Sequence, residues 1–219
     1  MGTVFLSHFI NENSPNFGGT KGIEINQVRS IDRGDTSNKL EFKTTNHFGT
    51  HIDFPKHFIL GGKSLNAYEA SDFVFEKPFL AEIPLANDEL LTSKHFAQFT
   101  IPNGCDFLIV KTGFERFRGQ ESYWKNNPGL TPELGSHLKN KFPSIRCIGF
   151  DFISATAFQH REIGREAHKA FLGDDCGSPI LLLEDMKLSL LKSNPRTVIV
   201  APLMIDEADG TQVTVIALT

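Results

Sequence analysis

Cysteine is scarce in this chain: Cys105, Cys147 and Cys176 are widely spaced, and none forms a C-x-x-C pair. That pattern argues against a disulfide framework and against a zinc ribbon. No apolar run approaches the ~18 residues that a membrane-spanning helix needs. The start, MGTVFLSHFINENSP, lacks the charged segment and long apolar stretch of a secretory leader. Leu6 stands where a myristoylation signal has Ser or Thr. The expected address is therefore the cytoplasm, with no membrane association. Basic charge is also limited. Lys and Arg number 22 against 26 Asp and Glu, net charge is −4, and no Lys/Arg run occurs, so a nucleic-acid partner has no support. Internal repeats and low-complexity tracts are absent. Trp occurs once and Tyr twice, whereas Phe occurs 20 times and supplies most of the aromatic content.

What is present fits a globular protein with a real core. Hydrophobic residues make up 40% of the 219, and the length suits one domain spanning 1–219. Alternating or short apolar runs predict strands in VFLSHF, GIEINQVRSI, KLEFKTTNH, KPFLAEIPL, CDFLIVKTG, RCIGFDF, SPILLLE, TVIVAPLMI and TQVTVIAL. Helices are fewer. NDELLTSKHFAQF (87–99) reads as one, with Asn87 or Asp88 as its cap. TPELGSHLKNKF (131–142) reads as another, with Thr131 as N-cap and Pro132 at the first helical position. REIGREAHKAFL (161–172) carries Ile163, Ala167, Ala170 and Phe171 on one stripe. The sum is a strand-rich mixed α/β chain with flanking helices. The polar, Gly/Pro-bearing segment at 11–22 is a candidate lid.

Chemistry concentrates in HFGTHIDFPKHF, residues 47–58. In an extended chain His47, His51, Asp53 and His57 share one face, and Gly49 leaves room beside them. Pro55 and the β-branched Thr50 and Ile52 disfavour a helix. Imidazole nitrogens with a carboxylate oxygen suit Zn²⁺, Mn²⁺ or Fe²⁺. His57, beyond Pro55, is either a further ligand or a free base beside the ion.

This stretch resembles the H-x-G-T-H-x-D-x-P-x-H signature of the cyclase family of metal-dependent hydrolases, which includes bacterial kynurenine formamidase and isatin hydrolase. VFLSHFI and SPNFGG resemble the family's opening strand and turn. VKTGFERFRGQESYWKNNPGLTP resembles its R-T-G-W…P-G-L region, and IRCIGFDFIS its G-x-D-x-x-S strand. EAHKAFL followed by PILLLED resembles its A-H-x-x-L…I-x-E segment. The likeness runs from about residue 3 to 186. It implies a swivelling β/β/α fold and one or two divalent ions per chain, Zn or Mn. It implies His47, His51, Asp53, His168 and Glu184 as metal ligands and His57 as the proton-transferring residue. It also implies a homodimer or higher oligomer.

The activity so implied is hydrolysis of an amide bond, other than a peptide bond, in a small molecule: an arylformamide such as N-formylkynurenine, or a cyclic amide. A metal-dependent lyase or cyclase, and a non-catalytic ligand-binding member with a metal-stabilised fold, are the alternatives. The chain departs from the family at Lys111 and Phe114, where arginine and tryptophan are usual, and at Asp185, where a small or amide residue follows the glutamate. The stretch from His168 to Glu184 is also a few residues longer. The first departures suggest an altered pocket. Phe17, Phe114, Tyr123 and Trp124 are candidate ring contacts.

Overall fold

Phe107–Val110, Cys147–Phe150 and Leu181–Leu183 are buried at every position, the pattern of strands covered on both faces. In the computed structural model, which describes residues 2–219, they lie side by side in the main sheet. The strands are β1 (Thr3–Phe5), β2 (Ile23–Arg29), β3 (Lys39–Thr44), β4 (His51–Asp53), β5 (Val74–Phe75), β6 (Pro78–Glu82), β7 (Leu90–Leu91), β8 (Phe107–Lys111), β9 (Gly129–Leu130), β10 (Cys147–Phe150), β11 (Leu181–Glu184), β12 (Thr197–Pro202) and β13 (Gly210–Leu218). The α-helices are α1 (Ser122–Lys125), α2 (Pro132–Lys141) and α3 (Arg161–Leu172). None of the described helices is long and apolar enough to cross a membrane.

Nine strands form one mixed sheet, in the order β5-β12-β13-β4-β11-β10-β8-β6, with β1 also paired to β13. Two regimes meet in it. β6, β8, β10 and β11 run parallel, whereas β1, β5, β12 and β13 pair antiparallel. β4 is the seam between them, antiparallel to β11 on one side and to β13 on the other. β13 changes partners along its length, pairing Gly210–Gln212 with β4 and Val213–Leu218 with β12.

Alternation sends successive residues of each buried strand into two cores. Leu108, Val110, Ile148, Phe150 and Leu182 pack under α2 and α3, against Leu134, Leu138, Ala167, Phe171 and Leu172. Phe107, Ile109, Cys147, Leu181 and Leu183 face the antiparallel half, against Ile52, Phe54, Val198, Val200 and Val215. A Cβ on Gly135 would stand 2.9 Å from Phe171 Cδ2, so the bare glycine lets α2 and α3 approach closely.

Both long helices match their sequence bounds. Thr131 Oγ1 accepts the Leu134 N–H, and Pro132 follows at the first position. The helix expected at 87–99 is not formed. Leu90–Leu91 pair in parallel with Gly129–Leu130, Asp88 adopts φ 60°, and only Ser93–Phe96 coils, as a 3-10 turn capped by Thr92 and His95. A strand pairing nearly forty residues away in sequence, which buries Leu91 completely, overrides the local helical preference.

Candidate metal centre and its pocket

The strand pattern holds within β4: His51 and Asp53 face the helix side, while Ile52 points into the opposite core. The alternation does not extend to their neighbours. His47 precedes β4 in a bend that turns at Gly49 (φ 68°), and His57 follows in a 3-10 turn begun by Pro55. His47 and His57 therefore reach the site through turns, not along an extended face. The space expected beside Gly49 is not open to an ion, since a Cβ there would meet Ile10 at 3.0 Å; the Gly49 carbonyl instead accepts a hydrogen bond from His51 Nδ1 at 2.8 Å.

Two distant elements complete the cluster. The register of β4 against β11 sets Glu184 opposite His51, and the apolar stripe that docks α3 turns His168 inward. All four residues are buried, at 4% exposure or less. His51 Nε2 lies 3.5 Å from Asp53 Oδ1 and 3.4 Å from Glu184 Oε2. His168 Nε2 lies 3.7 Å from Asp53 Oδ2 and 3.6 Å from Glu184 Oε1. These separations are long for hydrogen bonds. They suit the edges of a coordination polyhedron, because tetrahedral donors about 2.1 Å from one cation stand roughly 3.4 Å apart.

The surroundings orient the donors. His51 Nδ1 donates to the Gly49 carbonyl and His168 Nδ1 to the Gly164 carbonyl at 2.7 Å, so each imidazole turns its Nε2 toward the cluster. Phe58 stacks on His168 at 4.3 Å. Glu184 Oε1 accepts the Ala155 N–H at 2.7 Å, whereas the buried Asp53 Oδ2 has no hydrogen-bond partner among the described residues. Two carboxylates buried side by side repel one another, and a cation between them would relieve that repulsion. Burial alone would raise the Asp53 pKa; a hydrogen bond from His47 and the neighbouring imidazoles instead hold the carboxyl below its usual range. The residues fit a divalent ion by donor type, spacing and the unpartnered oxygen.

A second group stands beside the first. His47 Nδ1 donates to Asp53 Oδ1 at 2.8 Å and His47 Nε2 to Asp209 Oδ2 at 3.0 Å. An imidazole that donates on both sides is held as a cation. Burial lowers the His47 pKa, but the two carboxylates outweigh it and raise the value to about 9. His57 stacks on His47 at 3.9 Å and donates Nδ1–H to the same Asp209 oxygen at 3.0 Å. Burial and the charges of His47 and His168 lower its pKa against the pull of Asp53 and Asp209. Asp53 belongs to both groups, since its oxygens lie close enough to His51 and Glu184, and to His47 and His57, for each set to hold an ion.

Asp209, which orients both rim histidines, is absent from the sequence reading. In DEADG it has the look of a turn acid before an alternating strand, and only the β13–β4 pairing brings it beside His47.

The cluster floors a cavity of about 320 Å³, whose wall includes Phe17, Phe48, Phe58 and Ile153 and whose lining also takes in Arg161 and Arg165. That volume admits a small molecule. Pro15, Asn16 and Phe17 line it as well, so the 11–22 segment borders the site. Of the candidate ring contacts only Phe17 lines the cavity. Phe114 and Tyr123 are fully buried in the core, and Trp124 packs edge-on against Phe158. Lys111 lies elsewhere, pairing with Glu82 at 3.1 Å and donating to the Leu191 carbonyl. The departures at Lys111 and Phe114 therefore leave the cavity lining untouched, because Lys111 ends β8, two strands away from β11, and Phe114 is buried in the core. Asp185 is held by Arg118 through both carboxylate oxygens and by the Tyr123 hydroxyl at 2.6 Å.

A mixed sheet whose seam strand carries a buried imidazole–carboxylate centre defines the class of this protein by fold and site. The chain belongs to the cyclase family: the family model described as "Putative cyclase" matches residues 4–157. That match stops short of His168 and Glu184, but whole-chain likenesses include both. Kynurenine formamidase of Bacillus cereus is 25% identical over 210 residues, covering 96% of this chain and 94% of that protein. Isatin hydrolase A of Labrenzia aggregata, solved with benzyl benzoate, superposes with TM-score 0.79 at 24% identity, covering 99% of this chain and 93% of its own. An isatin hydrolase bound to the product analogue thioisatinate gives TM-score 0.82 at 20% identity, covering 99% and 92%. The swivelling β/β/α architecture implied by the motifs is thus the architecture observed.

Proposed function

We propose that this protein is a metal-dependent hydrolase that cleaves an amide bond of a small molecule, either an arylformamide such as N-formylkynurenine or a cyclic amide. The observation that carries this reading is the buried His51–Asp53–His168–Glu184 quartet, with its 3.4–3.7 Å donor spacing and the unpartnered Asp53 Oδ2. The names of the relatives, kynurenine formamidase and isatin hydrolase, support the reaction class. His51, Asp53, His168 and Glu184 would hold a Zn or Mn ion. His47, at the price of one of its hydrogen bonds, would join them or help hold a second ion that shares Asp53. The bound ion supplies Lewis acidity toward a carbonyl oxygen and makes water acidic enough to lose a proton near neutral pH.

The protein's own groups do the rest. Asp209 accepts the Nδ1–H of His57, which fixes the tautomer with Nε2 bare. His57 Nε2 takes the proton of the attacking water and hands it to the departing amide nitrogen. Asp209 stabilises the imidazolium formed between those two transfers. Phe17, Phe48 and Phe58 present an apolar wall to a flat acyl or aryl group and limit access of bulk water.

A second copy of this chain is the partner we infer. The two-stranded β2–β3 sheet turns Leu40 and Phe42 to one face, and both are about 60% exposed. An isolated hairpin with an uncovered apolar face is marginally stable alone. Sedimentation of the wild type against Phe42→Glu tests the assembly.

The activity is tested by offering the metal-loaded protein a panel of arylformamides and cyclic amides and following release of amine or ring-opened acid. Turnover that vanishes on chelation and returns with Zn or Mn is the expected result. Elimination or ring closure without water incorporation would move the protein to the lyase reading.

A further inference from the structure

Two arginines in the cavity lining have no place in the chemistry above. Arg161 opens α3 and Arg165 lies one turn further on, with His168 three residues beyond it. Both are exposed at the residue level. Arg118 and Arg146 have carboxylate partners in Asp185 and Asp106. Among the described residues, Arg161 and Arg165 have no carboxylate within 4.0 Å.

Arg161, at the first helical position, opposes the positive end of the helix macrodipole, and the two cations at i and i+4 repel. Glu162 stands three residues before Arg165, yet the two side chains form no ion pair within 4.0 Å. Arg161 is also held in place, its guanidinium 4.2 Å from the Phe158 ring centroid, and Phe158 in turn packs edge-on against the cavity residue Phe17 at 5.6 Å. A guanidinium held over an aromatic face keeps the N–H groups along its own edge unshielded, free to bind a carboxylate.

We propose that Arg161 and Arg165 form an anion-recognition subsite, and that the preferred substrate carries a carboxylate on the side away from its scissile amide. This rests on the hydrolase reading of the same cavity. At 1.5 Å rise per residue, the two arginines start about 4.5 and 10.5 Å along the helix axis from His168. Both arginines and His168 lie on the cavity side of α3, so a carboxylate bound to the arginines sits apart from the metal ligands, a separation that a substituted aryl amide can bridge. The arginines act on binding and orientation; proton transfer stays with His57.

The test compares 4-formamidobenzoate with formanilide, which lacks the carboxylate, on metal-loaded wild type, Arg161→Ala, Arg165→Ala and the double variant. The expected result is a fall of about tenfold or more in the kcat/KM ratio of the anionic to the neutral substrate, carried by KM, with kcat on formanilide unchanged. Arg165→Glu should invert the preference. An unchanged ratio, or equal loss on both substrates, overturns the proposal. Calorimetric binding of 4-aminobenzoate gives a readout that needs no turnover: the double variant should bind it about tenfold more weakly than wild type. If neither formamide is hydrolysed, the arylformamidase reading falls, and this binding difference alone decides the role of the arginines. Equal binding by both proteins would overturn it.

Discussion

The quartet His51–Asp53–His168–Glu184 and the rim group His47–His57–Asp209 share a floor yet are built differently. The quartet is buried, drawn from β4, β11 and α3, and its facing atoms stay 3.4–3.7 Å apart without bonding one another. The rim group is partly exposed and closed on itself, with two imidazoles donating to a single carboxylate oxygen at 3.0 Å. Donors aimed at a common point but kept from pairing are arranged to hold a cation. Imidazoles hydrogen-bonded to a shared carboxylate are arranged to hold or pass a proton. Asp53 joins the two, facing the quartet and accepting from His47.

The comparison breaks most severely at Asp53. Asp53→Asn removes charge from both groups and should abolish stoichiometric metal binding and cut turnover by at least 10³-fold, as read by elemental analysis and steady-state rates. His57→Ala should separate the groups: metal content stays at the wild-type level while turnover falls about 10²-fold or more. Loss of metal in that variant would instead make His57 a ligand. Asp209→Asn should be milder, lowering kcat about tenfold with metal retained, because the amide weakens the hold on His57 Nδ1 without removing the base. The smallest effect on activity is expected at Arg118→Ala. It frees the buried Asp185 carboxylate and should lower stability by about 3 kcal/mol, read by denaturant unfolding, with a residual rate per folded molecule near wild type.

What could be read beforehand followed how local each signal was. α3 showed itself by a stripe of apolar residues and α2 by Thr131–Pro132, because caps and periodicity lie within one turn. His51 and Asp53 could be placed on one face because two residues of strand suffice for that. The false helix at 87–99 had a plausible cap and apolar spacing, but Leu90–Leu91 are claimed by Gly129–Leu130, a pairing that no local pattern announces. His168 and Glu184 were named through the family resemblance alone. A lone histidine on a helix and a glutamate ending a strand carry no metal signal by themselves, and only the docking of α3 and the β4–β11 register buries them together. Asp209 escaped because 152 residues separate it from His57. The arginines of α3 escaped because an exposed guanidinium carries no sign of the cavity it borders.

The central claim is that the quartet holds a divalent ion. Metal content per chain tests it most directly, by elemental analysis of protein purified without chelator or affinity-tag metal. The account predicts one or two equivalents of Zn or Mn in the wild type and a clear loss in Asp53→Asn. A fully folded wild-type protein that contains no metal, and takes up neither ion when offered, would contradict it.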